Sequence, residues 1–177
     1  MTNIEQEIIK NLIKDKTPVK ENTLILLVGL PYSGKSTFAL KLEKFNFIHI
    51  WGTKIKKEYG LDDKKFLDIS EKIIEILLTQ GYNVTFDFLN HKNTHRERIF
   101  SIATKTDINY LIVYLNTPKD VIFQRQSTTM ESLGRTNISK EIIEEILSEF
   151  EIPKGEKVFE IKNESDHQEF LDLIKAV

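Results

Sequence analysis

Apolar residues recur along this chain at helical spacing, then in short unbroken runs, then at helical spacing again. Ile4, Ile8, Ile9, Leu12 and Ile13 share one face of a 3.6-residue period and predict a first helix, closed by a turn around Thr17 and Pro18. The run from Thr23 to Val28 predicts a strand buried on both sides. A glycine-bearing loop from Gly29 to Gly34 follows, then a helix to about Phe45 and a second strand from Phe47 to Ile50. Phe66, Ile73, Ile74, Leu77 and Leu78 stripe another helix, and Gly81 just beyond them suits a left-handed stop. Asn83 to Phe88 returns as strand. Thr94 and Glu97 predict a capping box for a helix to about Ala103, before an apolar strand from Tyr110 to Leu115. Thr117 and Pro118 are expected as cap and first residue of the next helix. Ser127 to Ile138 shows no period and reads as a polar loop or lid. Ile142, Ile143, Ile146, Leu147 and Phe150 stripe the following helix, Val158 to Ile161 is a last short strand, and Ser165 with Gln168 is expected to cap the final helix. Strands separated by helices imply an α/β fold, a parallel sheet with helices on both faces.

No repeat, low-complexity tract or Gly/Ser linker interrupts this alternation, so residues 1–177 read as a single domain with a lid segment at about 127–138. The chain has 25 basic and 27 acidic residues, and this near balance argues against a protein that coats duplex nucleic acid, while leaving room for a local basic groove. It has no cysteine, which excludes disulfides, thiolate metal sites and thiol nucleophiles. The longest apolar run, Leu24 to Leu30, is too short to span a membrane, and the N-terminus lacks the pattern of a signal peptide. The expected location is therefore cytoplasmic, without a membrane partner.

Chemistry concentrates at GLPYSGKS, Gly29 to Ser36, set between a strand and a helix as a phosphate-binding loop requires. Such a loop wraps backbone N–H groups around phosphate oxygens, so Gly29 and Gly34 stand where a side chain would obstruct the approach. The helix beginning at Lys35 points its positive end at the same place. Gly29, Pro31, Ser33, Gly34, Lys35, Ser36 and Thr37 form the candidate cradle for ATP, with Lys35 facing the β- and γ-phosphates and the Ser36 hydroxyl facing Mg²⁺. A metal held by one hydroxyl and two phosphates needs a carboxylate at a neighbouring strand end, and Asp87 fits that position. All four arginines lie after position 95; Arg125 and Arg135, around the lid, are placed to neutralise charge that develops during phosphoryl transfer. Lys35, Asp87, Arg125 and Arg135 are thus the expected catalytic set, and Ser36 with Asp87 the metal pair. His49, His91, His95 and His167 show no metal-ligand spacing beyond the His91 and His95 pair, which straddles a predicted helix start. No Asn-Lys-x-Asp stretch occurs, which argues against guanine-specific binding.

In these motifs the chain resembles the small P-loop kinases of the polynucleotide kinase and zeta-toxin type, in the adenylate-kinase-like group of P-loop NTPases. The similarity covers about Leu24 to Ile161 and rests on GLPYSGKST, on DFLNHKNTHRER from Asp87, on VYLNTPKDVIFQRQ from Val113 and on FEIP from Phe150. It implies a five-stranded sheet in the order 2-3-1-4-5, a lid framed by Arg125 and Arg135, and an acceptor side at Trp51, Thr53, Lys56, Arg96 and Arg98. Those kinases carry an Asp after the second strand and an Arg three residues later; here Thr53 and Lys56 hold those positions. A threonine is no general base at neutral pH, so Glu58, Asp62, Asp63 or Asp87 is left to substitute. The expected activity is ATP- and Mg²⁺-dependent transfer of the γ-phosphate to a hydroxyl, foremost a polynucleotide 5′-hydroxyl or a modified nucleotide in DNA. The alternatives are a kinase of a nucleotide, nucleoside or other small molecule, which the slightly acidic balance favours, and a nucleotide-binding regulatory protein, which Thr53 favours.

Overall fold

The computed structural model describes residues 1–128 and 137–175. Helix α1 (Asn3–Leu12) leads to strand β1 (Thr23–Val28), helix α2 (Lys35–Leu42), a 3-10 turn (Glu43–Phe45) and β2 (Phe47–Trp51). Then come α3 (Gly52–Tyr59), α4 (Asp63–Thr79), β3 (Asn83–Asp87), α5 (Asn93–Lys105) and β4 (Asn109–Leu115). The described elements end with α6 (Lys119–Thr128), α7 (Lys140–Ser148), β5 (Val158–Ile161) and α8 (Glu164–Lys175). The strands form one sheet in the order β2-β3-β1-β4-β5, with every pairing parallel.

Residues alternate between the two faces of a strand, and both faces of β1 are covered, which is why it reads as an unbroken apolar run. Leu24 and Leu26 pack with α1, α4 and α5 through Ile8, Phe66, Ile73, Leu77 and Ile99. Ile25 and Leu27 pack on the opposite face with Phe38 and Leu42 of α2 and Phe170 of α8. A parallel sheet sends all its strand C-termini to one edge. The loop after β1, the end of β2 and the end of β3 therefore meet there.

Several local expectations shift by a residue or two. Helix α5 begins one residue before Thr94, and its N-cap, Lys92, makes no side-chain capping bond, so Thr94 and Glu97 form no capping box. Helix α8 is capped by Asn163, whose Oδ1 accepts from the N–H groups of Ser165 and Asp166, while Asp166 accepts from Lys162 and Asn163. Ser165 and Gln168 are inside the helix. Helix α6 starts at Lys119, and the Thr117 hydroxyl donates to the Ser33 carbonyl at 2.8 Å. Helix α3, absent from the periodicity reading, runs off the end of β2. Most of the expected lid, Arg135 included, lies outside the described residues.

Candidate active site

A cleft of about 830 Å³ opens at the C-terminal edge of the sheet. Its floor is the loop between β1 and α2. Gly29 (φ 155°) and Gly34 (φ 102°) bend the backbone there, and a Cβ on Gly29 would come within 2.5 Å of Ser33 Oγ and 2.9 Å of the Leu115 carbonyl. Tyr32 takes the same left-handed region (φ 63°) without being glycine. Its backbone carbonyl accepts from Arg125 Nη1 at 3.0 Å, and its hydroxyl accepts from the Ile138 N–H at 2.9 Å. Leu30 anchors the loop from below, in a small apolar cluster with Ile122 of α6 and Ile143 of α7.

Lys35, Ser36 and Asp87 converge beside this loop. The Lys35 ammonium donates to the carbonyls of Gly29 (2.9 Å) and Leu30 (2.8 Å). Ser36 Oγ donates to Asp87 Oδ2 at 2.6 Å, and Asp87 is 4% exposed. Burial pulls the Lys35 ammonium below its ordinary value, and the charge of Asp87 offsets part of that. Burial alone would raise Asp87; the hydrogen bond from His49, the charges of Lys35 and His49 and the Ser36 hydroxyl outweigh it and hold the carboxyl low. A desolvated carboxylate kept ionised beside a hydroxyl and an ammonium is suited to a divalent cation and phosphate oxygens. The buried Ser33 Oγ, packed under Gly29 in the middle of the loop, has no hydrogen-bond partner among the described residues. Among the described residues no cluster of three or more His, Asp or Glu side chains would hold a metal alone. A cation at Ser36 and Asp87 would therefore take its remaining ligands from nucleotide phosphates and water.

Of the expected cradle, Gly29, Pro31, Ser33, Gly34, Lys35, Ser36 and Thr37 all line the cleft, together with Asp87 and the exposed Arg125. Of the residues expected on the acceptor side, Trp51 and Thr53 line it as well. Three other expected acceptor contacts do not. Arg96 is 2% exposed, and its guanidinium donates to the carbonyls of Asn90 (2.9 Å) and His91 (3.1 Å) and to Asn93 Oδ1 (2.7 Å); it braces the turn between β3 and α5. Arg98 pairs with Asp68 and Glu71 on α4, and Lys56 pairs with Asp63 while lying over the Phe88 ring. These side chains are spent on scaffold contacts. Glu58, Asp62 and Asp63 also fail as substitute bases, since none lines the cleft; Asp62 caps α4 by accepting from the Lys65 N–H. Among the described residues the carboxylates that do line it are Asp87 and Glu164, and Glu164 is paired with Lys41.

The reading of residue types missed His49. It lies on β2 two residues before Trp51, and the β2/β3 register sets Trp51 against Asp87. Only that parallel register, not spacing along the chain, brings His49 Nε2 to 3.3 Å from Asp87 Oδ2. Asn90 was missed likewise: its amide donates to the Leu27 carbonyl at 2.9 Å and ties the turn after β3 to β1.

The profile of the family described as chromatin-associated protein KTI12 matches residues 23–176, nearly all of this architecture. The chain belongs to the KTI12 family. Among curated proteins it is similar to L-seryl-tRNA(Sec) kinase of Methanococcus maripaludis, 29% identical over 140 residues, which cover 73% of this KTI12-family chain and 53% of that protein. The chain thus spans about half the length of the curated relative it matches. Among solved structures, Chaetomium thermophilum Kti12 in complex with ADP-AlF3 superposes with a TM-score of 0.65 at 16% identity, covering 86% of this chain and 97% of that one. Mycobacterium tuberculosis APS kinase in complex with AMPPNP and APS gives 0.62 at 17%, covering 90% and 99%. The fold is that of the P-loop kinases. Within that group the matched family is KTI12, and the polynucleotide kinase and zeta-toxin type expected from the motifs is not shown. No helix among the described residues is long and apolar enough to cross a membrane.

Proposed function

We propose that this protein binds ATP with Mg²⁺ in the cleft and transfers the γ-phosphate to a hydroxyl, acting as one kinase domain with a lid at about 127–138. The observation that carries this is the Ser36 hydroxyl on the buried Asp87 carboxylate at 2.6 Å, beside Lys35 in a glycine-bent loop. The loop amides and Lys35 hold the phosphates; Ser36 and Asp87 hold the metal, which would neutralise and orient the β- and γ-phosphates. Arg125, and Arg135 from the lid, act on charge that develops in transfer. The acceptor enters past Trp51 and Thr53. The seryl-tRNA kinase relative supports a hydroxyl carried on an RNA, which keeps the nucleic-acid reading and moves it from a DNA or RNA 5′ end to a tRNA.

A second reading has its own support. Thr53 stands where kinases of the polynucleotide kinase and zeta-toxin type carry an Asp, and a threonine is no general base at neutral pH, so hydrolysis by a nucleotide-driven regulatory protein fits that position. Incubation with γ-labelled ATP and separate pools of tRNA, 5′-hydroxyl oligonucleotides and nucleosides distinguishes these. Label in tRNA supports the first reading. Label in nucleosides alone moves the acceptor to a small molecule, and release of free phosphate with no labelled acceptor favours the second.

A further inference from the structure

His49 is buried on the edge strand β2, yet it is not packed as a hydrophobe. Its Nε2 is 3.3 Å from Asp87 Oδ2 and its Nδ1 is 3.1 Å from Glu43 Oε1. Carboxylates only accept hydrogen bonds, so a ring lodged between two of them presents an N–H to each. Trp51 stacks on the same ring, with centroids 5.2 Å apart and planes 12° from parallel, and fixes its plane. The bonds from His49 and Ser36 both fall on Oδ2 of Asp87; neither reaches Oδ1. Glu43 begins the 3-10 turn at the end of α2, whose first turn carries Lys35 and Ser36. One helix therefore grips the Asp87 carboxylate from both of its ends, through Ser36 directly and through Glu43 by way of His49.

We propose that Glu43 and His49 form a positioning pair that locks the Asp87 carboxylate with Oδ2 engaged and Oδ1 presented to the cleft, and so set the affinity of the site for the Mg²⁺ of a magnesium-nucleotide complex. This rests on the magnesium-nucleotide reading given above. His49 touches neither nucleotide nor metal; it acts through Asp87. Partners of this kind, hydrogen-bonded behind a metal-binding carboxylate, typically account for about 10- to 100-fold of metal affinity. A histidine that only filled space in β2 would leave metal affinity alone.

The test titrates Mg²⁺ into protein saturated with ADP and follows the melting midpoint, with ADP affinity in EDTA measured separately by calorimetry. In His49→Phe, the Mg²⁺ concentration at half-effect should rise about 10-fold or more, while metal-free ADP affinity stays within about 2-fold. His49→Gln, which restores an N–H donor, should recover most of the loss, and Glu43→Ala, at the partly exposed end, should show a smaller rise. A folded His49→Phe with wild-type Mg²⁺ dependence, or with equal losses in the presence and absence of metal, overturns the proposal. Should His49→Phe fail to fold, an unchanged Mg²⁺ half-effect in both His49→Gln and Glu43→Ala overturns it as well. If the wild-type protein shows no Mg²⁺-linked shift at all, the underlying magnesium-nucleotide reading falls, and this proposal with it.

Discussion

Lys35 makes its hydrogen bonds to loop carbonyls, so in the proposed role its charge should matter to chemistry more than to folding. Lys35→Ala should melt within a few degrees of wild type and lose at least about 100-fold in phosphate release or transfer, as removal of one preorganised charge typically does. Thermal melting and turnover measured on the same preparation check both halves. Arg125 presents a different case, exposed and reaching across to the Tyr32 carbonyl. Arg125→Ala should lower kcat more than it raises the KM for ATP, because its proposed partner is charge that appears only as the phosphoryl group moves. Both residues could be read from the chain, the lysine from its motif and the arginine from its rarity in a lysine-rich sequence. His49 could not, because its meaning depends on which strand lies beside β2.

At the scale of elements, caps carry testable weight. Thr2 and Glu5 form a reciprocal capping box on α1: the Thr2 N–H donates to Glu5 at 2.6 Å, and Thr2 Oγ1 accepts from the Glu5 N–H. The backbone bond from Thr2, with the charge of Lys72 acting against burial, holds the Glu5 carboxyl below its ordinary value of 4.5. A carboxylate depressed on folding stabilises above its unfolded value, and that stability is lost as pH falls through the folded one. Glu5→Gln should therefore lower the melting temperature at pH 7, with the gap to wild type closing as the pH falls below 4.5. Arg96 tests the other kind of element contact. Arg96→Ala takes the donor from the Asn90 carbonyl and from Asn93 Oδ1 in the β3–α5 turn, while the His91 carbonyl keeps the Glu151 N–H, and should cost about 2–4 kcal/mol in urea denaturation, where a true acceptor contact would cost affinity and little stability. Helices and strands were legible wherever apolar stripes were long. Helix α3 was not, because its eight residues bury only Gly52 and Ile55, too few to show a period. The cap of α8 was misplaced because Asn163, Ser165, Asp166 and Gln168 crowd one turn, and only the hydrogen bonds show which of them face the free N–H groups.

For the whole molecule, alternation of strand and helix made the layered fold legible, while the order of its strands came only through resemblance to a family. The small formal charge of −2 bears on the acceptor. Lys56 and Arg98, two of the cations expected to meet an acceptor, are tied to acidic neighbours. Binding of tRNA should then weaken only modestly with salt, with a slope of log K against log salt shallower than about −3 by filter binding. A slope near −6 would instead show a broad basic footprint.

The placing of β1 between β3 and β4 has a consequence for how the protein is made. Leu24 lies against Val84 on one side and Tyr110 on the other, and the first of these neighbours is some sixty residues downstream. At a synthesis rate of about 5–20 residues per second, the stretch Leu24 to Val28 leaves the ribosome several seconds before any strand exists to pair with it. Throughout that interval the nascent chain carries its most apolar run with both edges open, the kind of segment that chaperones bind and that neighbouring chains can capture.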